Sequence, residues 1–357
     1  MTTLPAQLAV PLRGYTTLRL GGPASRFVSA TSERELVDAV RGAQPAQEPL
    51  LVLGGGSNLV IGDDGFDGTV VHVATRGFDV AKSPSGPPML TVEAGEDWDE
   101  VVARTVTEGY GGLECMSGIP GLVGATPVQN VGAYGVEIAD LLYSVDLLDR
   151  GTGQVRTVPR DELGLRYRTS SLKNTDSAVV LRIRLGLHAD GRSSPVRYPE
   201  LARALGVPPH SRPPAAEVRE AVLELRRSKG MVLDEADHDT WSAGSFFTNP
   251  ILTADELAEA LRRIAERTQD PVPRYPAGAG RTKLPAAWLI ERAGFARGHA
   301  GPGGRAALSG KHTLALTNRG EATTEDLLAL AREVVGGVRD AFGVSLHPEP
   351  VLVNCTL

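Results

Sequence analysis

The chain has 357 residues, of which 41% are hydrophobic and 22% charged, with a formal net charge of -6. That is long enough for two or three domains and ordinary for a globular protein, while the acidic balance argues against a nucleic-acid partner, which needs a basic face. Cys115 and Cys355 form neither a disulfide framework nor a metal set. No apolar run approaches the roughly 20 residues that span a bilayer, and no signal-peptide pattern opens the chain, so the expectation is a cytoplasmic monomer with no metal and no membrane partner.

In chain order, Ser32-Glu33-Arg34-Glu35 reads as a capping box, Ser32 and Glu35 each satisfying one free helix N–H. Leu36, Val37, Ala39 and Val40 then give an apolar helix face. Leu50 to Leu53 is a short apolar strand that runs into Gly54-Gly55-Gly56-Ser57-Asn58. Bare N–H groups in such a loop converge on phosphate oxygens; a simple tight turn is the other reading. The Gly-Lys-Ser/Thr ending of a P-loop is missing, and so is the dinucleotide fingerprint. Val70 to Val73 reads as the next strand, with His72 as a satisfied or edge histidine. The Pro/Ser/Gly cluster from Ser83 to Pro88 marks a boundary.

A second segment opens with the strand Leu90 to Glu93, and Asp97 to Glu100 starts a helix with Trp98, Val101, Val102 and Val106 along one side. Cys115 to Gly135 follows. It is broken by Gly118, Gly121, Gly124, Gly132, Gly135, Pro120 and Pro127, yet is otherwise small or apolar, which is wrong for a solvated linker. Its peptide groups need partners; a large polar cofactor is one candidate, a packed loop of tight turns the alternative. Arg166 to Ser171 is a polar, cationic patch ahead of Val179 to Leu187, whose alternation is that of a half-buried strand. From Pro213 the character is helical, and Arg226, Arg227 and Lys229 fall where a helix dipole favours cations. Ser242 to Pro250 is loop-like, Thr253 to Glu256 is a capping box, and Ala286 to Ala293 and Thr324 to Phe342 are further helices. Gly301 to Ala306 mimics the dinucleotide fingerprint but lacks the strand before it and is discounted. The fold class is α+β, two mixed segments followed by a third.

Leu53 to Asn58, Gly118 to Gly135, Ala243 to Pro250, Ala286 to Gly294 and His347-Pro348-Glu349-Pro350, in that order from about Thr16 onward, together resemble the UDP-N-acetylenolpyruvoylglucosamine reductase family. The resemblance implies the vanillyl-alcohol-oxidase-like FAD-binding fold. Its FAD-binding subdomains fall at 1–88 and 89–228, its substrate-binding domain at 229–342, and a tail, 343–357, returns to the active site. It implies non-covalent FAD held between the first two domains, with NADPH as co-substrate. The reaction it implies is reduction of UDP-N-acetylenolpyruvoylglucosamine to UDP-N-acetylmuramate in peptidoglycan precursor synthesis.

The resemblance carries three catalytic positions: Arg168 facing the substrate carboxylate, Ser245 as proton donor and Glu349 as the arginine's acidic partner. By residue type alone these are a strand-edge ion pair, a loop hydroxyl and a tail charge. The cofactor residues it implies are Gly54, Gly55, Gly56, Ser57 and Asn58 in the first glycine loop. In the second stretch they are Ser117, Gly118, Ile119, Pro120, Gly121, Gly124 and Ala125, then Gln129, Asn130, Gly132, Ala133, Tyr134 and Gly135. Substrate contacts fall on Tyr198, Arg226, Lys229, Asn249 and Lys283. Thr248, where many members carry lysine, and Gly230-Met231, in place of Leu-Pro, depart from the pattern. Two other readings compete: another flavin oxidoreductase of the same fold, and a non-catalytic nucleotide-sugar-binding protein.

Overall fold

Alternating apolar and polar residues build two sheets in the first half of the chain, and amphipathic helices dominate the last third. The structure, a computed structural model, describes residues 5–43, 48–82 and 86–357; positions 83–85 of the Ser83–Pro88 cluster lie outside the described residues. The chain divides into two compact units whose sequences interlace. The first takes the chain up to Val10, Ala24–Gly55 and Asp67–Val232; the second takes Pro11–Pro23, Gly56–Phe66 and Leu233–Leu357.

In the first unit a four-stranded sheet runs in the order Gln7–Pro11, Pro23–Ala30, Phe66–Val73, Leu50–Leu53. Its last two strands are parallel, with Leu53 opposite His72. Parallel neighbours need a crossover of a dozen or so residues, and here that crossover carries the glycine loop. His72 stands on an inner strand of this sheet and is the satisfied histidine of the two readings, not an edge one: its Nδ1 lies 3.3 Å from Ser29 Oγ and its ring stacks on Phe27. The helix Glu33–Ala43 buries Leu36, Val37 and Val40. Its N-terminus corrects the sequence reading in one detail. Ser32 Oγ does accept from the Glu35 N–H, but the Glu35 carboxylate turns to Thr31, because Thr31 offers an N–H at 2.8 Å and a hydroxyl at 2.7 Å to one oxygen.

The second sheet is antiparallel, in the order Val155–Pro159, Leu142–Asp149, Ala178–Gly186, Met89–Glu93, Phe78–Ala81. In its central strand Val179, Leu181, Ile183 and Leu185 are buried, as the alternation predicts. From the opposite face Arg184 donates two bonds to Asp146 at 2.8 and 2.9 Å, and Arg182 Nε donates to Glu93. Asp97 caps the helix Trp98–Thr107 by accepting from the Glu100 N–H, and Trp98, Val101 and Val102 sink into the core.

The second unit is organised around the helix Thr324–Phe342, whose buried Leu327, Leu330, Ala331, Val334 and Val338 face the helices Ala254–Ala265 and Ala286–Arg292. Thr253 and Glu256 form the expected capping box. The start of Thr324–Phe342 is fixed twice, by a Thr323–Asp326 box and by Asp63, whose carboxylate accepts from the Thr324 and Glu325 N–H groups. The tail strand Val351–Val353 pairs in parallel with Leu59–Ile61. Gly301 to Ala306 closes a turn through a Gly301 N–H bond to the Ala306 carbonyl. Among the described residues no helix is long and apolar enough to cross a membrane, and no cluster of three acidic, histidine or cysteine side chains could hold a metal.

Candidate active site

Much of the glycine-rich stretch of the first unit is satisfied by its own chain. The Gly118 N–H donates to Asp99 Oδ1 at 2.6 Å. The Trp98 N–H donates to the Gly121 carbonyl at 3.0 Å, while the N–H groups of Val123 and Gly124 reach the carbonyls of Glu96 and Ala94, both at 2.9 Å. Trp98 Nε1 holds the Met116 carbonyl at 3.1 Å. So the segment 94–99 meets part of the demand that suggested a cofactor. Three of the glycines are also explained by packing. Gly118 has φ +69°, and a Cβ on Gly124 would sit 2.6 Å from Ala94 Cβ. On Gly55 it would sit 2.8 Å from Gly121 Cα, so the two glycine-rich stretches meet backbone to backbone. Gly54 differs: the nearest atoms to an added Cβ are those of Leu122, at 3.9 Å.

Three non-glycine site candidates, Asn130, Tyr134 and Arg168, hold positive φ, of 47°, 51° and 52°. Such strain persists only where the surroundings over-determine it. For Asn130 they do: its Nδ2 donates to Glu137 Oε2 and the Arg166 carbonyl, and its Oδ1 accepts from the Ala139 N–H. Its backbone is engaged as well, the N–H donating to the Pro127 carbonyl and the carbonyl accepting from Arg168 Nη1. Arg168 folds back along the same segment, Nη2 donating to the Gly132 carbonyl at 2.7 Å. Ser170 Oγ ties the turn down by donating to the Val128 carbonyl at 2.6 Å. Ser117 is fully buried and its hydroxyl is spent on the Glu114 carbonyl.

The cations expected to meet substrate are not alike. Arg226 donates to the Met231 carbonyl at 2.7 Å, but its buried Nε has no partner among the described residues, and it lies 3.4 Å from where a Gly118 Cβ would be. Burial draws its pKa down to about 10, so it is still a cation at neutral pH. A buried guanidinium with an unused N–H beside a glycine loop fits a bound anionic ligand such as the diphosphate of FAD or of a nucleotide sugar. Lys229 by contrast is paired with Glu200 at 2.6 Å. Tyr198, largely exposed, meets the ring of Tyr134 edge-on at 5.5 Å. Burial pushes the Tyr134 phenol up to about 12, so it stays neutral.

In the second unit Ser245 precedes Phe246 and Phe247, both buried, which fix the loop's backbone. The Phe246 N–H donates to the Leu314 carbonyl, and the Phe246 carbonyl accepts from the Glu349 N–H, both at 2.8 Å. Thr248 N–H reaches the His347 carbonyl at 3.0 Å. Ser245 and Glu349 therefore stand on two paired stretches. The Val351 N–H bonds the Asn58 carbonyl at 2.9 Å, so the tail also holds the end of the first glycine loop. Asn249 Oδ1 caps the helix Ala286–Arg292 by accepting from the Ala286 N–H, and Lys283 lies opposite Ile251 in a short strand.

Two features went unread in the sequence. The stretch Thr16–Pro23 wraps the loop: the Thr17 N–H donates to the Gly56 carbonyl, and a Cβ on Gly56 would lie 2.0 Å from the Tyr15 carbonyl oxygen. The pair Gly21-Gly22 was the available signal. Asp99, read only as part of a helix start, accepts from Gly118 and bidentately from Arg219. Burial pushes its carboxyl up, but the bonds from Arg219 and Gly118 outweigh this and hold it below the usual range.

Comparison with known proteins gives the relatives of this chain. The family described as UDP-N-acetylenolpyruvoylglucosamine reductase, C-terminal domain, matches residues 235–353, and that described as FAD binding domain matches residues 24–159. A UDP-N-acetylenolpyruvoylglucosamine reductase of Saccharopolyspora erythraea is 67% identical over 97% of this chain and 95% of its own. One of Streptomyces avermitilis is 56% identical over 97% of this chain and 94% of its own. The crystal structure of UDP-N-acetylenolpyruvylglucosamine reductase from Thermus caldophilus shares the fold, with a TM-score of 0.64 at 24% identity, covering 99% of this chain and all of that one.

Proposed function

Since the chain belongs to the UDP-N-acetylenolpyruvoylglucosamine reductase family, we infer that it reduces UDP-N-acetylenolpyruvoylglucosamine to UDP-N-acetylmuramate with FAD and NADPH, in peptidoglycan precursor synthesis. The observation that carries this is the 67% identity to a reductase of that name across nearly the whole of both chains. The protein is an FAD-dependent oxidoreductase with an α+β FAD-binding fold. We place it in the cytoplasm as a monomer. Residues 1–88 and 89–228 are its FAD-binding subdomains, 229–342 its substrate domain and 343–357 the returning tail.

When bound, FAD would supply the two-electron hydride chemistry that links NADPH to the terminal carbon of the enolpyruvyl double bond. Negative charge then falls on the neighbouring carbon and its carboxylate. Arg168 is assigned to hold that carboxylate, since a fixed cation stabilises charge as it develops. Ser245 is assigned to deliver the proton to the neighbouring carbon, with Glu349 as the acidic member of the set. Gly54 to Asn58 and Ser117 to Gly135 hold the cofactor. Tyr198, Arg226, Lys229, Asn249 and Lys283 bind the nucleotide sugar. Arg226, cationic and with an N–H unused by the chain, supports its place there.

The test is optical. The purified holoenzyme should be yellow, bleach with NADPH, and regain its colour on adding UDP-N-acetylenolpyruvoylglucosamine under anaerobic conditions. Bleaching followed by no response to that compound would sink the assignment.

A further inference from the structure

Arg168 occupies a backbone state that arginine does not choose for itself. Arg166 and Thr169 exchange both backbone hydrogen bonds, at 3.0 and 3.1 Å, which makes Tyr167 and Arg168 the two central residues of a tight turn. Arg168 takes the second central place with φ 52°, where glycine or asparagine is usual. Three bonds hold the turn in this form. The guanidinium donates to the Gly132 carbonyl at 2.7 Å, and Asn130 Nδ2 donates to the Arg166 carbonyl at 3.1 Å. Lys173 Nζ donates to the carbonyl of Arg168 itself at 2.9 Å. A second tight turn delivers that ammonium: the Lys173 N–H bonds the Ser170 carbonyl, while Ser170 Oγ is anchored on Val128.

We propose that Lys173 is a positioning residue for the reductive step, acting through Arg168 by pinning the carbonyl of its left-handed turn. This rests on the reading of Arg168 as the residue that holds the substrate carboxylate. Of these three, the Lys173 bond is the one made to the carbonyl of Arg168 itself. Without it the Arg168 carbonyl loses its ammonium partner, the left-handed peptide is held less tightly, and the guanidinium shifts against the Gly132 carbonyl. A displacement of that size at a charge-holding group costs on the order of 10-fold to 10²-fold in rate.

The experiment compares Lys173→Met, Lys173→Arg, Arg168→Ala and the Lys173→Met/Arg168→Ala double variant as FAD-loaded enzymes. Two readings are taken: the rate of flavin reoxidation by UDP-N-acetylenolpyruvoylglucosamine, and the calorimetric affinity of the oxidised enzyme for UDP-N-acetylmuramate, which involves no turnover. Lys173→Met should slow reoxidation and weaken that affinity by about 10-fold or more, with bleaching by NADPH unchanged. Lys173→Arg, which keeps a charged donor, should restore most of both. In the Arg168→Ala background the Lys173→Met change should add nothing, which a merely structural lysine would not reproduce. If Lys173→Met melts lower than wild type, Lys173→Gln carries the same comparison. Wild-type behaviour of Lys173→Met, or an equal loss with and without Arg168, overturns the proposal. Wild-type behaviour of Arg168→Ala overturns instead the reading of Arg168 on which it rests.

Discussion

The N–H of Glu349 and the carbonyl of Phe246 are joined at 2.8 Å, and this bond pairs the backbone of the tail with the loop that carries Ser245. The Thr248–His347 bond on the other side sets the register. Neither bond uses the side chain of Ser245 or Glu349, so both residues can be replaced without cutting the strip that holds them.

Ser245→Ala should separate the two halves of the reaction. NADPH delivers hydride before any substrate proton is needed, so bleaching should run at nearly the wild-type rate. Reoxidation by the enolpyruvyl substrate should slow by a factor of about 10² to 10⁴, the usual cost of losing a general acid. Ser245→Cys should lose less. Stopped-flow absorbance measures both phases, and an equal slowing of bleaching would make Ser245 a packing or NADPH-binding residue.

Glu349→Gln should keep its FAD and its melting temperature while reoxidation slows by roughly 10-fold or more. A truncation after Gly343 is expected to do more harm. It also removes Val351–Val353 and the parallel pairing with Leu59–Ile61, so its melting temperature should fall as well. Normal turnover in Glu349→Gln would take Glu349 out of the catalytic set.

The first two glycines of the loop should respond differently to alanine. Gly55→Ala forces a methyl to 2.8 Å from Gly121 Cα, so it should lower stability whether or not FAD is present. Gly54→Ala meets only Leu122 at ordinary contact distance and should fold normally, yet bind FAD more weakly. Melting curves of flavin-free protein, set against flavin fluorescence titrations, compare the two. A Gly54→Ala protein with full FAD affinity would remove Gly54 from the cofactor site.

Flavin should leave the protein on acid precipitation. Cys115 is fully buried, with its thiol pushed well up by burial, and His72 is occupied between Ser29 and Phe27. Yellow colour in the acid pellet would mean a covalent bond and would favour an oxidase of the same fold.

Asp326 gives the second unit an acid-sensitive clasp. Arg305 donates two bonds to its carboxylate, which also accepts from Thr323, and these bonds hold its pKa at about 2. The value is depressed on folding, so the stability it supplies is present above the unfolded carboxyl's pKa of about 3.9 and is lost as pH falls through about 2. Asp326→Asn should lower the melting temperature at pH 7 and flatten its decline between pH 4 and pH 2. Parallel curves for the two proteins across that range would contradict the assignment.

What could be read in advance followed the range of the interaction. The helix Thr324–Phe342 and the Thr253–Glu256 box are set within a few turns of chain, and both appear where the sequence puts them. The strand ending near Leu187 declares itself by its period of two. The pairing of Thr248 with His347 joins residues 99 apart and leaves no period to read. Arg168 illustrates a second limit: its left-handed turn depends on Lys173, Asn130 and Gly132, none of which marks an arginine for that conformation. The glycine-rich stretch was recognisable as unusual, but only the structure separates glycines that admit a neighbouring backbone, such as Gly55, from one where a methyl would meet only Leu122 at ordinary contact distance, Gly54.

The interlaced chain has a consequence for synthesis. Every residue of the first unit has been made by Val232, whereas the second unit waits for Leu233 onward to join Pro11–Pro23 and Gly56–Phe66. Emerging from a ribosome, the first unit can close early while Leu18, Leu20 and Val60, all destined for the other core, remain without their partners. No single cut yields either unit as a continuous gene fragment, so recombination cannot trade the second unit between relatives as one contiguous cassette. Variation there must arise in place, residue by residue.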